Sequence, residues 1–150
     1  MRSLALPLST LVAGVLCFAS CTTTTTTVPI CPQTLSFPAA LVYPAPAATR
    51  VPGDIGAIVV QGGFSGTVSS LTLISAQGGL VTQSIIGPPP APLPSSLATP
   101  PALAAYPLGS IPVPVLRRYT RYGVTLVENF AANPTCPAVN VGLGYFTTSR

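Results

Sequence analysis

From Thr120 to Glu128 the chain alternates, with Tyr122, Val124 and Leu126 on one side of a period-two pattern and Arg121, Gly123 and Thr125 on the other. A strand with one face in a core and one in water requires that alternation, so the stretch predicts the central strand of a small sandwich. Ala39 to Tyr43 (A-A-L-V-Y) reads as the first strand. Ile58 to Gln61 (I-V-V-Q) reads as a buried-type strand, ended by Gly62-Gly63. Val68 to Ser75 sets Leu71 and Leu73 against Ser70, Thr72 and Ile74. The following Ala76-Gln77-Gly78-Gly79 is a hairpin turn, because glycine reaches positive φ without a steric cost. Leu80 to Ile86 returns as its partner strand. After an Asn133-Pro134-Thr135 turn, Val141 to Thr148 closes the chain as a last strand.

Between these stretches proline does the shaping. Gly53-Asp54 marks a turn. Gly87 to Pro94 (G-P-P-P-A-P-L-P) is expected to stay out of any ladder, since proline lacks the N–H donor, and to cross the surface as polyproline II. Leu97 to Leu116 predicts one or two short edge strands broken by Pro107, Pro112 and Pro114, with Ala102 to Tyr106 as ready to make a helical turn as a strand. The chain has 19 Pro and 13 Gly in 150 residues, which disfavours long helices. Charged residues are only 5% against a typical ~25%, and 48% of residues are hydrophobic, so a core can form.

The start of the chain has a different character. Met1-Arg2 is a short positive opening, and Leu4 to Ala19 is apolar, broken only by small or polar residues. That is the pattern of a secretory signal, too soon interrupted for a bilayer span. It ends in Phe18-Ala19-Ser20-Cys21, which resembles the lipobox of bacterial lipoproteins, with Phe18 in the place usually held by Leu. The resemblance implies cleavage after residue 20 and lipidation of Cys21, with more than one acyl chain for stable anchoring. A cut that leaves a soluble secreted chain is the alternative. Thr22 is not the aspartate that resembles an inner-membrane retention signal, so an outer membrane, where the cell has one, is the expected address. The six threonines Thr22 to Thr27 favour an extended spacer, so residues 21–30 read as a tether and residues 31–150 as the folded domain. With Cys17 lost in the leader and Cys21 lipidated, Cys31 and Cys136 remain as a disulfide pair in an oxidising compartment.

About seven short strands with turns roughly every ten residues is the pattern of an immunoglobulin-like β-sandwich. Leu41-Val42-Tyr43-Pro44, then Ala48-Thr49 and Val51-Pro52, resembles the opening of bacterial Ig-like domains of the S-layer-protein type. Leu116 followed by Thr120 to Leu126 resembles their penultimate strand, and Gly144-Tyr145-Phe146-Thr147-Thr148 their terminal one. The long proline-rich middle departs from the compact family form. In such domains the tyrosine opening the penultimate strand often makes a tyrosine corner, its hydroxyl bonded to nearby backbone. Tyr122 holds that position, with a plain core tyrosine as the alternative.

The net charge is +4, and loss of Arg2 with the leader lowers it by one. The one basic cluster is Arg117, Arg118 and Arg121, expected as a solvated strand edge or as a contact for an anionic envelope polymer or headgroup. It is not the basic stripe of a nucleic-acid binder. The chain has no histidine, the commonest general base and metal ligand, and its only side-chain carboxyls are Asp54 and Glu128. Asp54 is expected to cap its turn, and an acid–base pair with Glu128 is the chain's sole catalytic option. Gly63-Phe64-Ser65-Gly66 lacks the second glycine of a nucleophile elbow where Thr67 stands. No cofactor, metal site or catalytic residue is expected. Two function classes remain: an anchored structural, adhesive or protein-binding envelope module, and a binding module for an anionic envelope polymer or carbohydrate.

Overall fold

The structure, a computed structural model, describes residues 30–64, 68–130 and 132–149. The expected leader, Cys21 and the threonine run lie outside the described residues, as do Ser65, Gly66 and Thr67. Seven strands form: β1 Ala39–Tyr43, β2 Ala57–Gly62, β3 Val68–Ser75, β4 Leu80–Ile85, β5 Leu108–Pro112, β6 Arg121–Asn129 and β7 Val139–Thr147. They make two antiparallel sheets, β1-β2-β5 and β4-β3-β6-β7, stacked as an all-β sandwich.

The alternation around Tyr122 is what seats β6. Its inward residues Tyr122, Val124 and Leu126 are buried and its outward ones are not, and the strand pairs with β3 on one side and β7 on the other. Leu41, Ile58, Val60 and Ile111 of the smaller sheet meet Leu71, Leu73, Val124, Leu126 and Phe146 of the larger one in a single core. Each fully buried aliphatic or aromatic side chain contributes ~1.5–3 kcal/mol, so this face-to-face burial holds the sheets together. The Tyr122 and Phe146 rings stack within it, centroids 5.7 Å apart.

β2 is buried along nearly its whole length, not on alternate residues. Ile58 and Val60 face the core, while Val59 and Gln61 point away from it and are buried all the same. The cause is the proline-rich segment of residues 87–107. Gly87 exchanges two main-chain hydrogen bonds with Ser110 of β5, both 2.9 Å, and Ser110 Oγ donates to the Pro88 carbonyl at 2.7 Å. Further on, Ala98 N–H donates to the Val42 carbonyl of β1 at 2.9 Å. The chain then returns over β2, where Gln61 Nε2 donates to the Tyr106 carbonyl at 2.9 Å. β1 and β5 are the two edges of the smaller sheet, so the segment is a strap laid across its outer face. Val42, Val59 and Leu103 are buried outside the main core cluster.

One expectation changes here, and one open alternative is resolved. The prolines do stay out of the ladders, but Gly87 keeps its N–H and bridges to Ser110. The ambiguous stretch from Leu97 to Leu116 holds one edge strand, β5, preceded by a 3-10 turn at Pro101–Leu103 that begins on a proline, where a missing donor costs nothing. Residues 47–51 run along the outer edge of β7. Ala47 N–H donates to the Tyr145 carbonyl, Thr147 N–H to Ala48, and Val51 N–H to Thr147, with a parallel bridge from Val51 to Thr148. The Cys31–Cys136 disulfide joins the first described segment to the connection between β6 and β7, 105 residues later.

Candidate functional site

Among the described residues, none crosses the outer face of the larger sheet as a strap. Register places Ile74, Gly123 and Tyr145 side by side across β3, β6 and β7, and Thr72, Thr125 and Gly142 in the next row. A Cβ added at Gly123 or Gly142 would meet nothing within 4 Å. The missing side chains leave a shallow depression of about 550 Å³, walled by Ile74, Ser75, Arg121 and Tyr145 and floored by Gly123 and Thr125. At its rim the Arg121 guanidinium carbon lies 3.5 Å from the centroid of the Tyr145 ring. The ring's negative face attracts the cation by ~0.5–1 kcal/mol at an exposed site, which holds Arg121 on the face instead of free in solvent.

The three arginines do not form the strand edge expected of them. Arg117 and Arg118 lie in the connection before β6, and Arg121 lies on the outward face of β6, an inner strand of its sheet. Tyr119, at φ 52°, turns the chain between them. Arg117 lines a second depression beside Leu80 and Val81, and Arg118 a third beside Gly53 and Asp54. The three arginines thus line three different hollows. Main-chain bonding explains why: Arg117 N–H donates to the Tyr122 hydroxyl at 2.8 Å, and the Arg117 carbonyl accepts from Thr148 Oγ1 at 2.6 Å. The Tyr122 hydroxyl, five residues on, therefore closes a corner of the tyrosine-corner kind.

The two carboxyl groups lie far apart. Asp54 is exposed in its turn, whose Gly53 carbonyl accepts from Leu116 N–H just ahead of β6. Glu128 sits at the other end of β6 with no solvent exposure and bonds to the main-chain N–H and Oγ of Ser36. An acid–base pair between them is not formed. Among the described residues, no three His, Cys, Asp or Glu side chains gather as metal ligands.

Two participants escape the sequence reading. Tyr145 was legible as the outward neighbour of buried Phe146, but its partner Arg121 comes from another strand. Glu128 had a direct signal: it continues the parity of Tyr122, Val124 and Leu126 and is therefore an inward position. Cys31 and Cys136 are joined, while Cys21 lies outside the described residues. Comparison with protein-family models, curated proteins and solved structures finds no match for this chain.

Proposed function

We propose that this protein is a lipid-anchored module of the bacterial cell envelope. Its leader of residues 1–20 is removed, Cys21 carries the lipid, and residues 21–30 space the bilayer from one immunoglobulin-like sandwich of residues 31–150. The sandwich serves as a structural, adhesive or protein-binding unit. The sheet orders support the immunoglobulin-like reading: β1-β2-β5 and β4-β3-β6-β7 correspond to strands A-B-E and C′-C-F-G, with Tyr122 at the start of strand F.

The observation that carries the binding role is the difference between the two outer faces. One is sealed by the chain's own strap, and the other displays Arg121 stacked on Tyr145 beside an unfilled floor. Arginine and tyrosine are enriched where proteins touch. Binding of an anionic polymer draws less support, because Arg117, Arg118 and Arg121 line different hollows.

The test has two arms. Cys21→Ala should abolish fatty-acid labelling and release the chain from membranes, and a variant that stays bound removes the anchor. A photo-crosslinking residue at Thr125, on the open face, should trap an envelope protein, while the same probe at Ala91 on the strap should not. Equal trapping from both positions, or none from Thr125, removes the protein-binding face.

A further inference from the structure

Four strands lie at sheet edges: β1 and β5 in the smaller sheet, β4 and β7 in the larger. An edge strand presents unpaired main-chain groups and is a template for another strand. Three of the four are covered by this chain. Ala98 bonds to β1, Gly87 to β5, and residues 47–51 to β7. β4 pairs with β3 on one side, and among the described residues no main-chain group bonds to its other side. Edges are usually guarded by charge or proline, and β4 (L-V-T-Q-S-I) has neither. Its one irregularity lies at its first residues, opposite Leu73 and Ile74. Leu80 and Ile85 are 63% and 65% exposed, a large apolar area to leave in water.

We propose that β4 is the seam of a homodimer, pairing antiparallel with β4 of a second copy so that two four-stranded sheets become one of eight strands. Charge selects this occupant. An edge without charge is complemented by an uncharged strand, and β4 supplies one to itself without like-charge repulsion. Antiparallel self-pairing is closed by a two-fold axis, so it yields a discrete dimer and not a fibre. A cation that shares a hollow with the start of the strand fixes the direction. Arg117 lies beside Leu80 and Val81, at the start of β4. Parallel pairing would set the two Arg117 side chains together. Antiparallel pairing parts them by about 20 Å, the length of a six-residue strand, which exceeds the ~8 Å screening length at physiological ionic strength. The proposal goes beyond the anchored-module reading and does not depend on the lipid.

The experiment uses the full chain in the cells that make it, with benzoylphenylalanine at Leu80. Irradiation should give an adduct of twice the chain mass, its crosslinked peptide joining Leu80 to the β4 of a second copy. Gln83 is exposed on β4, so Gln83→Lys should leave the chain folded, with the circular dichroism spectrum of the parent, although loss of the second copy lowers its thermal midpoint. It should cut the adduct at least about tenfold, equivalent to ~1.4 kcal/mol. Co-expressing Gln83→Lys and Gln83→Glu chains should restore it. Ile85→Lys provides a second disrupting variant, read the same way. The proposal is overturned by an adduct to a different protein, by no adduct, or by a homodimer adduct that neither lysine reduces.

Discussion

Glu128 and Ser36, 92 residues apart in sequence, are bound to each other: Ser36 N–H donates to Oε2 at 2.8 Å and Ser36 Oγ donates to Oε1. The glutamate stands at the last inward position of β6, where the alternation calls for a core side chain, and it has no solvent exposure. A buried carboxyl needs hydrogen-bond partners, and the segment leading from Cys31 into β1 supplies them. That segment is thereby fastened twice, covalently to the β6–β7 connection and through Ser36 to β6.

Removing the glutamate should therefore loosen the start of the domain. Glu128→Ala leaves the Ser36 N–H without its partner and opens a void, at an expected loss of ~2–4 kcal/mol. Ser36→Ala removes only the hydroxyl donor and should lose less. Urea unfolding with an unchanged slope would measure both. A midpoint in Glu128→Ala equal to that of the parent chain would contradict this account.

Tyr122→Phe deletes one oxygen from a ring that otherwise keeps its place on Phe146. The Arg117 N–H then loses its acceptor, so an expected ~1–2 kcal/mol of stability disappears with little change in packing. Amide exchange at Arg117 should quicken in the variant. Unchanged protection there would mean that the hydroxyl does not close the corner.

Reduction of Cys31–Cys136 frees a closed loop of sequence separation 105. Chain-entropy reasoning sets the upper bound of the loss at ~4.7 kcal/mol. The paired variant Cys31→Ser with Cys136→Ser should unfold at correspondingly lower denaturant and become insensitive to reductant. An oxidised parent chain that melts identically with and without reductant would count against a formed bond.

Two strand glycines should respond in opposite directions. At Gly62 a Cβ would lie 2.6 Å from the Pro38 carbonyl oxygen and 3.0 Å from Ala39 Cα, both main chain, so Gly62→Ala should cost ~1–3 kcal/mol. At Gly123 a side chain meets open space, and Gly123→Val gains strand propensity worth up to ~1 kcal/mol. Thermal midpoints should fall for the first and hold or rise for the second. If Gly123→Val also fills the depression on the open face, it should weaken trapping from Thr125 without harming the fold.

Much of the sandwich is local in origin and so was legible. Period two over Arg121 to Asn129 reports which side chains face the core, because that period is a property of extended backbone. The turn at Ala76 to Gly79 follows from glycine's freedom at Gly78, whose φ is 80°. The strand stretches other than β5 could be read in order, with ends within two residues of those observed.

What resisted reading depends on encounters between distant segments. The burial of Val59 and Gln61 follows from the strap that lies over them, and composition marks that strap as proline-rich without saying which face it covers. The separation of Arg117, Arg118 and Arg121 follows from a main-chain turn held by Tyr122 and Thr148, so neighbours in sequence end at different hollows. The pairing of Arg121 with Tyr145 exists only once β6 and β7 lie in register.

By itself, then, the sequence determined that the chain folds as strands and which residues of the central strand turn inward. Only the tertiary structure decided which sheet face is covered, which edge stays open among the described residues, and that Glu128 meets Ser36. Side-chain alternation is set residue by residue along one strand. Faces, edges and long-range hydrogen bonds are set by whatever other part of the chain arrives beside them.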